Sequence, residues 1–262
     1  MRAADHPYFD LTGPVGLAHR GGALYAPNAQ RENTIAAFRH AIDLGFRYLE
    51  TDVHATADGA LVAFHDTHLD RVTDGSGAIA ALRHTDLAQV RTPTGDGIPL
   101  LAEVLEEFPG AHVNIDVKAP GAIAPLVETV ERMQVRDRVC VGSFSERRLR
   151  AVRKALGPRL ATAAGMTGVA SLRFTPWVVS RLLHSPAAVL QIPTHHVVRG
   201  RRVELVTPAL VRRAHDIGKH VHVWTIDEPD EMHRLLDLGV DGIVTDRPDA
   251  LREVFAERGL TV

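Results

Sequence analysis

Apolar residues fall along the chain in short runs rich in valine, leucine and isoleucine, and between the runs they recur at spacings of three and four. The runs read as buried strands, and the spaced stretches as amphipathic helices lying against them. Val15-Gly-Leu-Ala-His19-Arg20 is the first strand, broken by Gly21-Gly22. Ile35-Ala-Ala-Phe38 and Ala41-Ile-Asp-Leu44 form the first helix, stopped by Gly45, and Phe46 to Thr56 is the second strand. A helix from Leu100 to Phe108 turns Leu101, Val104 and Leu105 inward and Glu103, Glu106 and Glu107 outward. Strand and helix then alternate: 112–118 with 122–133, 139–144 with 146–156, and a weaker strand over 159–165 with a helical run around 177–183. Next come 187–192, a small hairpin turning at Arg199-Gly200, and a helix opening at Thr207-Pro208, an N-cap followed by proline at the first helical position. The series closes with 220–226 and 229–238, then 242–246 and a helix from 248 to about 257.

About eight strands, each followed by a helix, predict an α/β fold of the closed parallel (β/α)8 type, whose usual size of ~250 residues suits this length. An open doubly wound sheet is the rival, but its Gly-rich dinucleotide turn is missing after the first strand. No linker or shift of composition marks a second domain, so residues 1–262 are expected to form one. The polar, glycine-rich stretch from Thr67 to about Pro99 is too irregular for an ordinary connection, usually under about ten residues, and reads as an insertion.

Composition narrows the function classes. Hydrophobic residues make up 45% and charged residues 24% of the chain, which argues against disorder and fibrous repeats. A formal net charge of -2 gives no electrostatic footprint for nucleic acid. The one cysteine, Cys140, sits in the apolar run Arg138-Val-Cys-Val-Gly, so a buried inert thiol is expected and no disulfide can form within the chain. Met1-Arg-Ala-Ala-Asp-His-Pro-Tyr lacks an apolar leader core, and no segment reaches the ~18 apolar residues of a spanning helix. The expectation is a soluble cytoplasmic protein without stable membrane insertion, of unspecified oligomeric state.

The candidate chemistry centres on Tyr48 to Asp66. Read as two strands joined by a turn at Asp58-Gly59, this stretch points Glu50, Asp52 and His54 to one side, because residues two apart share a strand face. Its second strand delivers His65-Asp66. Burying so many ionisable groups beside Leu, Val and Phe would cost several kcal/mol unless they were paired or bound a metal. In a (β/α)8 barrel, active sites gather at the C-terminal strand ends. The polar residues fall there: His19 and Arg20, Glu50 and Asp52, Asp116 and Lys118, Ser143, Gln191, Trp224 and Asp246. Glu50, Asp52 and Asp116 form a hard oxygen cluster suited to Mg²⁺, Ca²⁺ or Mn²⁺. The bland alternative is an Asp116–Lys118 salt bridge beside solvated Glu50 and Asp52. His19 and His65 are available as general base and acid. With Arg20 and Lys118 as cations, the set suits a phosphoryl group. Gln191 and Trp224 are candidates for substrate contact; Trp224 stacks on an apolar portion or simply closes the barrel. His195-His196 reach the site or only open the hairpin, and Arg199-Gly-Arg-Arg202 reads as a solvated turn.

Ala18-His19-Arg20-Gly21-Gly22, Glu32-Asn33-Thr34, Glu50-Thr-Asp52-Val, the Asp58-Gly59 turn, His65-Asp66, Asn114-Ile-Asp116-Val-Lys118, Val223-Trp224-Thr225 and Asp241-Gly-Ile-Val-Thr-Asp246-Arg-Pro248 together resemble the glycerophosphodiester phosphodiesterases. The matches span almost the whole chain in the family's order. The resemblance implies a TIM barrel with a small insertion after the second strand. It further implies His19 and His65 as the acid–base pair, Glu50, Asp52 and Asp116 as ligands of a divalent metal, and Arg20 and Lys118 on the phosphate. The small-molecule substrate would be a glycerophosphodiester, cleaved to glycerol 3-phosphate and an alcohol. Two departures stand out: Ala29-Gln-Arg31 intrudes before Glu32, and Asp116 stands where glutamate is common. The rival functions are a lysophospholipase D-type lipid phosphodiesterase, which needs an apolar channel for its acyl chain, and a non-catalytic phosphodiester-binding barrel.

Overall fold

In the computed structural model of the chain, residues 1–10, 12–176, 185–198 and 200–262 are described. The strands in chain order are β1 (Val15–His19), β2 (Tyr48–Ala55), β3 (Leu61–Ala63), β4 (His112–Val117), β5 (Val139–Gly142) and β6 (Ala161–Thr162). They continue with β7 (Val189–Pro193), β8 (His195–Val198), β9 (Arg201–Glu204), β10 (His220–Trp224) and β11 (Gly242–Thr245). Eight run in the order β6-β5-β4-β2-β1-β11-β10-β7, with parallel pairing throughout. A parallel bridge between Ala163 and Val189 joins the two ends of this order. The result is the (β/α)8 TIM barrel that the alternation predicts.

Successive residues of each strand face alternately outward and into the lumen. Outward-facing Leu49, Val113, Ile115, Val221, Val223 and Ile243 pack under the helices. Lumen-facing Val15, Leu17, Tyr48, Cys140, Val189 and Val244 form a separate inner core. Cys140 is a free, fully buried thiol there, and burial pushes its pKa well up, as expected of an inert cysteine. The helices start where their caps allow. Thr34 accepts from the Ala37 amide at 3.2 Å, and Thr207, ahead of Pro208, accepts from the Leu210 amide at 3.2 Å.

Two elements differ from the sequence reading. Helix Met166–Phe174 follows β6, where the pattern gives no helix; it buries only Val169 and Leu172 and carries Gly168, so its periodicity is faint. The helical run expected around 177–183 lies outside the described residues. The N-terminal segment, for which the pattern predicts nothing, makes two 3-10 turns, Ala3–Asp5 and Pro7–Phe9, that close the lower mouth of the barrel. The Tyr8 carbonyl accepts from the Tyr48 hydroxyl at 2.6 Å and bonds His112 Nδ1 at 2.9 Å. The hairpin expected near Arg199-Gly200 is β8 against β9, with Arg199 itself outside the described residues. Residues 67–99 build a small core of their own from Val62, Phe64, Leu69, Ile79 and Leu87 on the outer side of β3. Among the described residues, no helix is long and apolar enough to cross a membrane.

His222 sits in the lower lumen, fully buried, and neither ring nitrogen has a hydrogen-bond partner among the described residues. Its ring fits because the facing residue is Gly242, where a Cβ would lie 2.7 Å from the imidazole. Burial, and then the neighbouring His220, pull its pKa down to about 3. The unfolded chain therefore binds a proton that the folded chain refuses, so stability is lost as pH falls below the unfolded value. We predict that His222→Leu flattens this acid limb by about 1.4 kcal/mol per pH unit. Urea unfolding between about pH 6 and pH 4 measures it, and an unchanged slope would show that His222 is not the titrating group.

Candidate active site

Strand register assembles the upper rim. His19 pairs with Glu50 across β1 and β2. Glu50 pairs with Asn114, and Asp52 with Asp116, across β2 and β4. Because alternate residues face the lumen, His19, Glu50 and Asn114 share one layer, with Asp52 and Asp116 in the layer above. The sequence-predicted carboxylates thus stand side by side on neighbouring strands.

The chain leaves β1 through Arg20, whose backbone is left-handed at φ 51°. Its amide donates to the Glu50 carbonyl at 3.0 Å and to Glu50 Oε2 at 3.2 Å. Gly21 and Gly22 continue the turn at positive φ. A Cβ on Gly21 would lie 2.7 Å from Ala37, and one on Gly22 2.5 Å from Pro248, so only glycine fits. This turn aims the Arg20 side chain back over the rim, with Nε 3.1 Å from Asp52 Oδ2 and Nη1 3.2 Å from Glu32 Oε1. Lys118, just beyond β4, places its ammonium 2.8 Å from Asp52 Oδ1 and 2.7 Å from Asp116 Oδ2. The Asp116–Lys118 salt bridge of the bland alternative is therefore present, but it is part of a larger charge cluster. Asn33 completes the cage around Asp52, donating to Oδ2 at 3.3 Å while accepting from Thr51 Oγ at 2.8 Å.

The charges do not balance evenly. Burial alone would raise the Asp52 carboxyl, but Lys118 and Arg20 outweigh it and hold the group below the usual carboxylate range. Glu50 is answered less well: His19 Nε2 stands 3.8 Å from Oε2, but burial first and the charge of Asp52 second outweigh His19 and Arg20 and push the carboxyl up to about 8. Asp116 Oδ1 is buried and has no hydrogen-bond partner among the described residues. A buried carboxylate without a proton, a hydrogen bond or a cation is unstable by several kcal/mol. Among the described residues, no group of three or more His, Cys, Asp and Glu side chains is drawn together as a metal cage, and the cation between Asp52 and Asp116 is the Lys118 ammonium. The raised Glu50 carboxyl, which a nearby cation would return to its charged form, and the orphaned Asp116 oxygen nevertheless fit a hard divalent ion.

Both predicted histidines are backed by carboxylates. His19 Nδ1 lies 2.8 Å from Asp246 Oδ1, and His65 Nδ1 lies 2.6 Å from Asp66 Oδ1. A nitrogen facing a carboxylate carries the proton; that leaves Nε2 of His65 for the cavity, and Nε2 of His19 on the cavity side, 3.8 Å from Glu50 Oε2. His54 shares the strand face of Glu50 and Asp52 but turns away: its Nε2 bonds the His65 carbonyl at 3.0 Å. Gln191 reaches across the lumen to donate to Asn114 Oδ1 at 2.8 Å. Trp224 stands at the rim edge-on to Phe144, ring centres 5.7 Å apart. His196 lines the cavity, whereas His195 turns to Thr194 Oγ at 3.0 Å.

His19, Arg20, Glu50, Asp52, His65, Asp116, Lys118, Gln191 and Trp224 all line one cavity of about 460 Å³. Its far wall is apolar, made of Phe144, Met166, Phe174, Leu205 and Trp224. Sequence reasoning assigns no role to Asp246, which it sees only as a strand end, or to Arg71, and it misses the apolar wall. Thr245-Asp246 at the end of the last strand is the available signal for the first; the wall comes from separate elements and leaves no contiguous one.

Barrel and rim together place the chain among the (β/α)8-barrel enzymes. The sequence profile of the Glycerophosphoryl diester phosphodiesterase family matches residues 19–250, and the chain belongs to that family. A probable glycerophosphodiester phosphodiesterase 2 of Mycobacterium tuberculosis is 42% identical over 256 residues, 94% of this chain and 92% of the relative. A lysophospholipase D of Rattus norvegicus is 30% identical, over 90% of this chain and 84% of its own. The crystal structure of an Oleispira antarctica phosphodiesterase, in complex with the product sn-glycerol-3-phosphate, superposes with a TM-score of 0.78 at 27% identity, covering 93% of this chain and 97% of the other.

The Asp246 carboxylate helps set the proton affinity of its histidine. Burial would lower the His19 pKa, but Glu50 and Asp246 outweigh it and raise the group above its ordinary value. We predict that Asp246→Asn lowers the His19 pKa while the barrel stays folded. NMR titration of the His19 imidazole checks this, and a pKa that holds or rises would refute the pairing.

Proposed function

We propose that the cavity hydrolyses glycerophosphodiesters to glycerol 3-phosphate and an alcohol, with His19 and His65 as its general acid–base pair. The observation that carries this reading is the convergence of two carboxylate-backed imidazoles on one cavity that also holds Arg20 and Lys118. Arg20 and Lys118 offer charge-assisted donors to the phosphoryl oxygens, where negative charge builds up in the transition state. One imidazole accepts a proton from the glycerol hydroxyl vicinal to the phosphate as it attacks phosphorus, and the other gives a proton to the departing alcohol oxygen as the P–O bond breaks. Water then opens the resulting cyclic phosphate to glycerol 3-phosphate with the roles of the two rings reversed. Asp246 and Asp66 hold each ring in the tautomer that presents Nε2. Glu50, Asp52 and Asp116 would hold the divalent ion, Mg²⁺, Ca²⁺ or Mn²⁺, which when bound supplies Lewis-acid charge to the phosphate.

Turnover of glycerophosphocholine tests the reading. Glycerol 3-phosphate is the expected product, activity is lost on exhaustive chelation and regained with a divalent ion, and Glu50→Gln lowers metal affinity sharply without unfolding the barrel. Full activity with no metal left by elemental analysis would sink the metal assignment. Binding without any turnover would instead make the chain a phosphodiester-binding barrel.

The apolar wall favours a second substrate. Phe144, Met166 and Phe174 are each more than half exposed, at 57%, 56% and 59%, although they are large and apolar. They stand beside the charged rim and can take an aliphatic chain, as a lysophospholipase D-type activity requires. Burying one such side chain is worth about 1.5–3 kcal/mol. Phe174→Ala is therefore expected to raise KM for lysophosphatidylcholine by roughly 10-fold or more and to leave KM for glycerophosphocholine unchanged. Equal effects on the two substrates would remove the wall from lipid recognition.

A further inference from the structure

Arg71 lies outside every motif that the sequence singles out, on the irregular stretch after β3, yet its guanidinium uses all three nitrogens on two carboxylates. Nε and Nη2 donate to Asp66 Oδ2 and Oδ1 at 2.6 and 3.1 Å, and Nη1 and Nη2 donate to Glu32 Oε2 and Oε1 at 2.9 and 2.6 Å. Each acceptor is bonded onward to a cavity residue. Asp66 Oδ1 holds His65 Nδ1 at 2.6 Å, and Glu32 Oε1 receives Arg20 Nη1 at 3.2 Å. Arg20 in turn stands 3.1 Å from Asp52. A continuous chain thus runs His65–Asp66–Arg71–Glu32–Arg20–Asp52, joining the histidine just beyond the short hairpin strand to the rim of the barrel proper.

The base of this clamp is rigid. Leu69, two residues before Arg71, is buried among Val62, Phe64, Ile79 and Leu87. The Leu69 amide donates to the Gly77 carbonyl at 3.1 Å, and the Thr73 hydroxyl donates to the Leu69 carbonyl at 2.8 Å. The guanidinium therefore projects from a pinned turn. An ordinary surface ion pair contributes about 0–1 kcal/mol and would need only one carboxylate. Two bidentate pairs on carboxylates that each carry a cavity group fix positions as well as charge.

We propose that Arg71 is a positioning residue: by clamping Asp66 to Glu32 it fixes the His65 imidazole relative to the Arg20 guanidinium, and so sets the distance between acid–base group and phosphate. The proposal rests on the reading of His65 as an acid–base group. Lysine does not reproduce this clamp, because an ammonium on a flexible stem lacks the planar fork that pairs bidentately with each of the two carboxylates. A misplacement of about 1 Å costs on the order of 10²-fold in rate.

The test compares wild type, Arg71→Met, Arg71→Lys, His65→Ala and the His65→Ala/Arg71→Met double variant on glycerophosphocholine, with thermal unfolding of each. The expected result is a fall in kcat of about 10- to 100-fold for both Arg71 variants, with Tm near wild type. In the His65→Ala background the Arg71 change should cost less than threefold further, because it acts through the missing imidazole. Glu32→Gln, which weakens the other half of the clamp, should lower kcat in the same direction and covers the case of an Arg71 variant that does not fold. The proposal is overturned if both Arg71 variants keep kcat within twofold of wild type, or if their loss multiplies undiminished with that of His65→Ala. An unimpaired His65→Ala overturns the acid–base reading as well, whereas an impaired His65→Ala beside unimpaired Arg71 variants overturns the clamp alone.

Discussion

Negative charge buried at the rim of the barrel is the constraint that the other residues of the site answer. Glu50, Asp52 and Asp116 come from adjacent parallel strands in fixed register, so they cannot move apart without breaking the ladder. Asp52 is answered by Lys118 and Arg20, and its carboxyl is held low. Glu50, with His19 3.8 Å away, is answered less fully and is held high. The backbone is shaped to deliver those cations: the left-handed Arg20, the two glycines that let it turn, and the Lys118 carbonyl gripped by Arg148 all serve that end. A rim of this kind is poorly explained by stability, because hydrophobic residues of similar volume would fill the space without the desolvation penalty.

Much of this was legible in the sequence, for physical reasons. Valine-rich runs followed by helical spacing bury both faces of a strand in a parallel layer covered by helices, and the count of about eight such units with no Gly-rich turn after the first favours the closed barrel over an open sheet. Polar residues ending those runs then fall at one rim. What a single chain cannot display is pairing between distant segments. Asp246 reaches His19 because β11 pairs with β1, Thr245 against Ala18, and nothing local to Thr245-Asp246 announces that neighbour. The Gln191–Asn114 contact crosses the lumen, and the apolar wall draws on separate elements, so neither leaves a periodic trace. Helix Met166–Phe174 was illegible for a different reason: with only Val169 and Leu172 buried, it has almost no apolar face to read.

The lumen itself divides stability from chemistry along single strands. On β10, His222 is sealed without a hydrogen-bond partner among the described residues, while Trp224, two residues on, stands in the cavity mouth. On β2, Tyr48 closes against Tyr8, while Glu50 and Asp52 open onto the site. The side-chain period of two carries the chain from plug to rim without a change of face. The lower mouth needs its N-terminal turns for the same reason: a ring of lumen-facing Tyr48, His112, His220 and His222 would otherwise meet water without the aromatic cover of Tyr8 and Phe9.

The two histidines differ in what holds them, and this bears on how the site tolerates change. His19 is fixed from within the barrel. Its partner Asp246 is anchored through its own amide to Asp227 Oδ1 at 2.8 Å, the same oxygen that takes the Thr245 hydroxyl at 3.0 Å. His65 lies two residues beyond a three-residue strand that pairs with β2 and bridges Leu100, and its partner Asp66 is shared with a residue of the irregular stretch beyond it. The first dyad is held by the end of the last barrel strand and by Asp227 just beyond β10. The second follows the packing of residues 67–99, so sequence change in that stretch can move His65 against the barrel strands. The cavity can thus be altered on one side without disturbing the strands that hold the carboxylates.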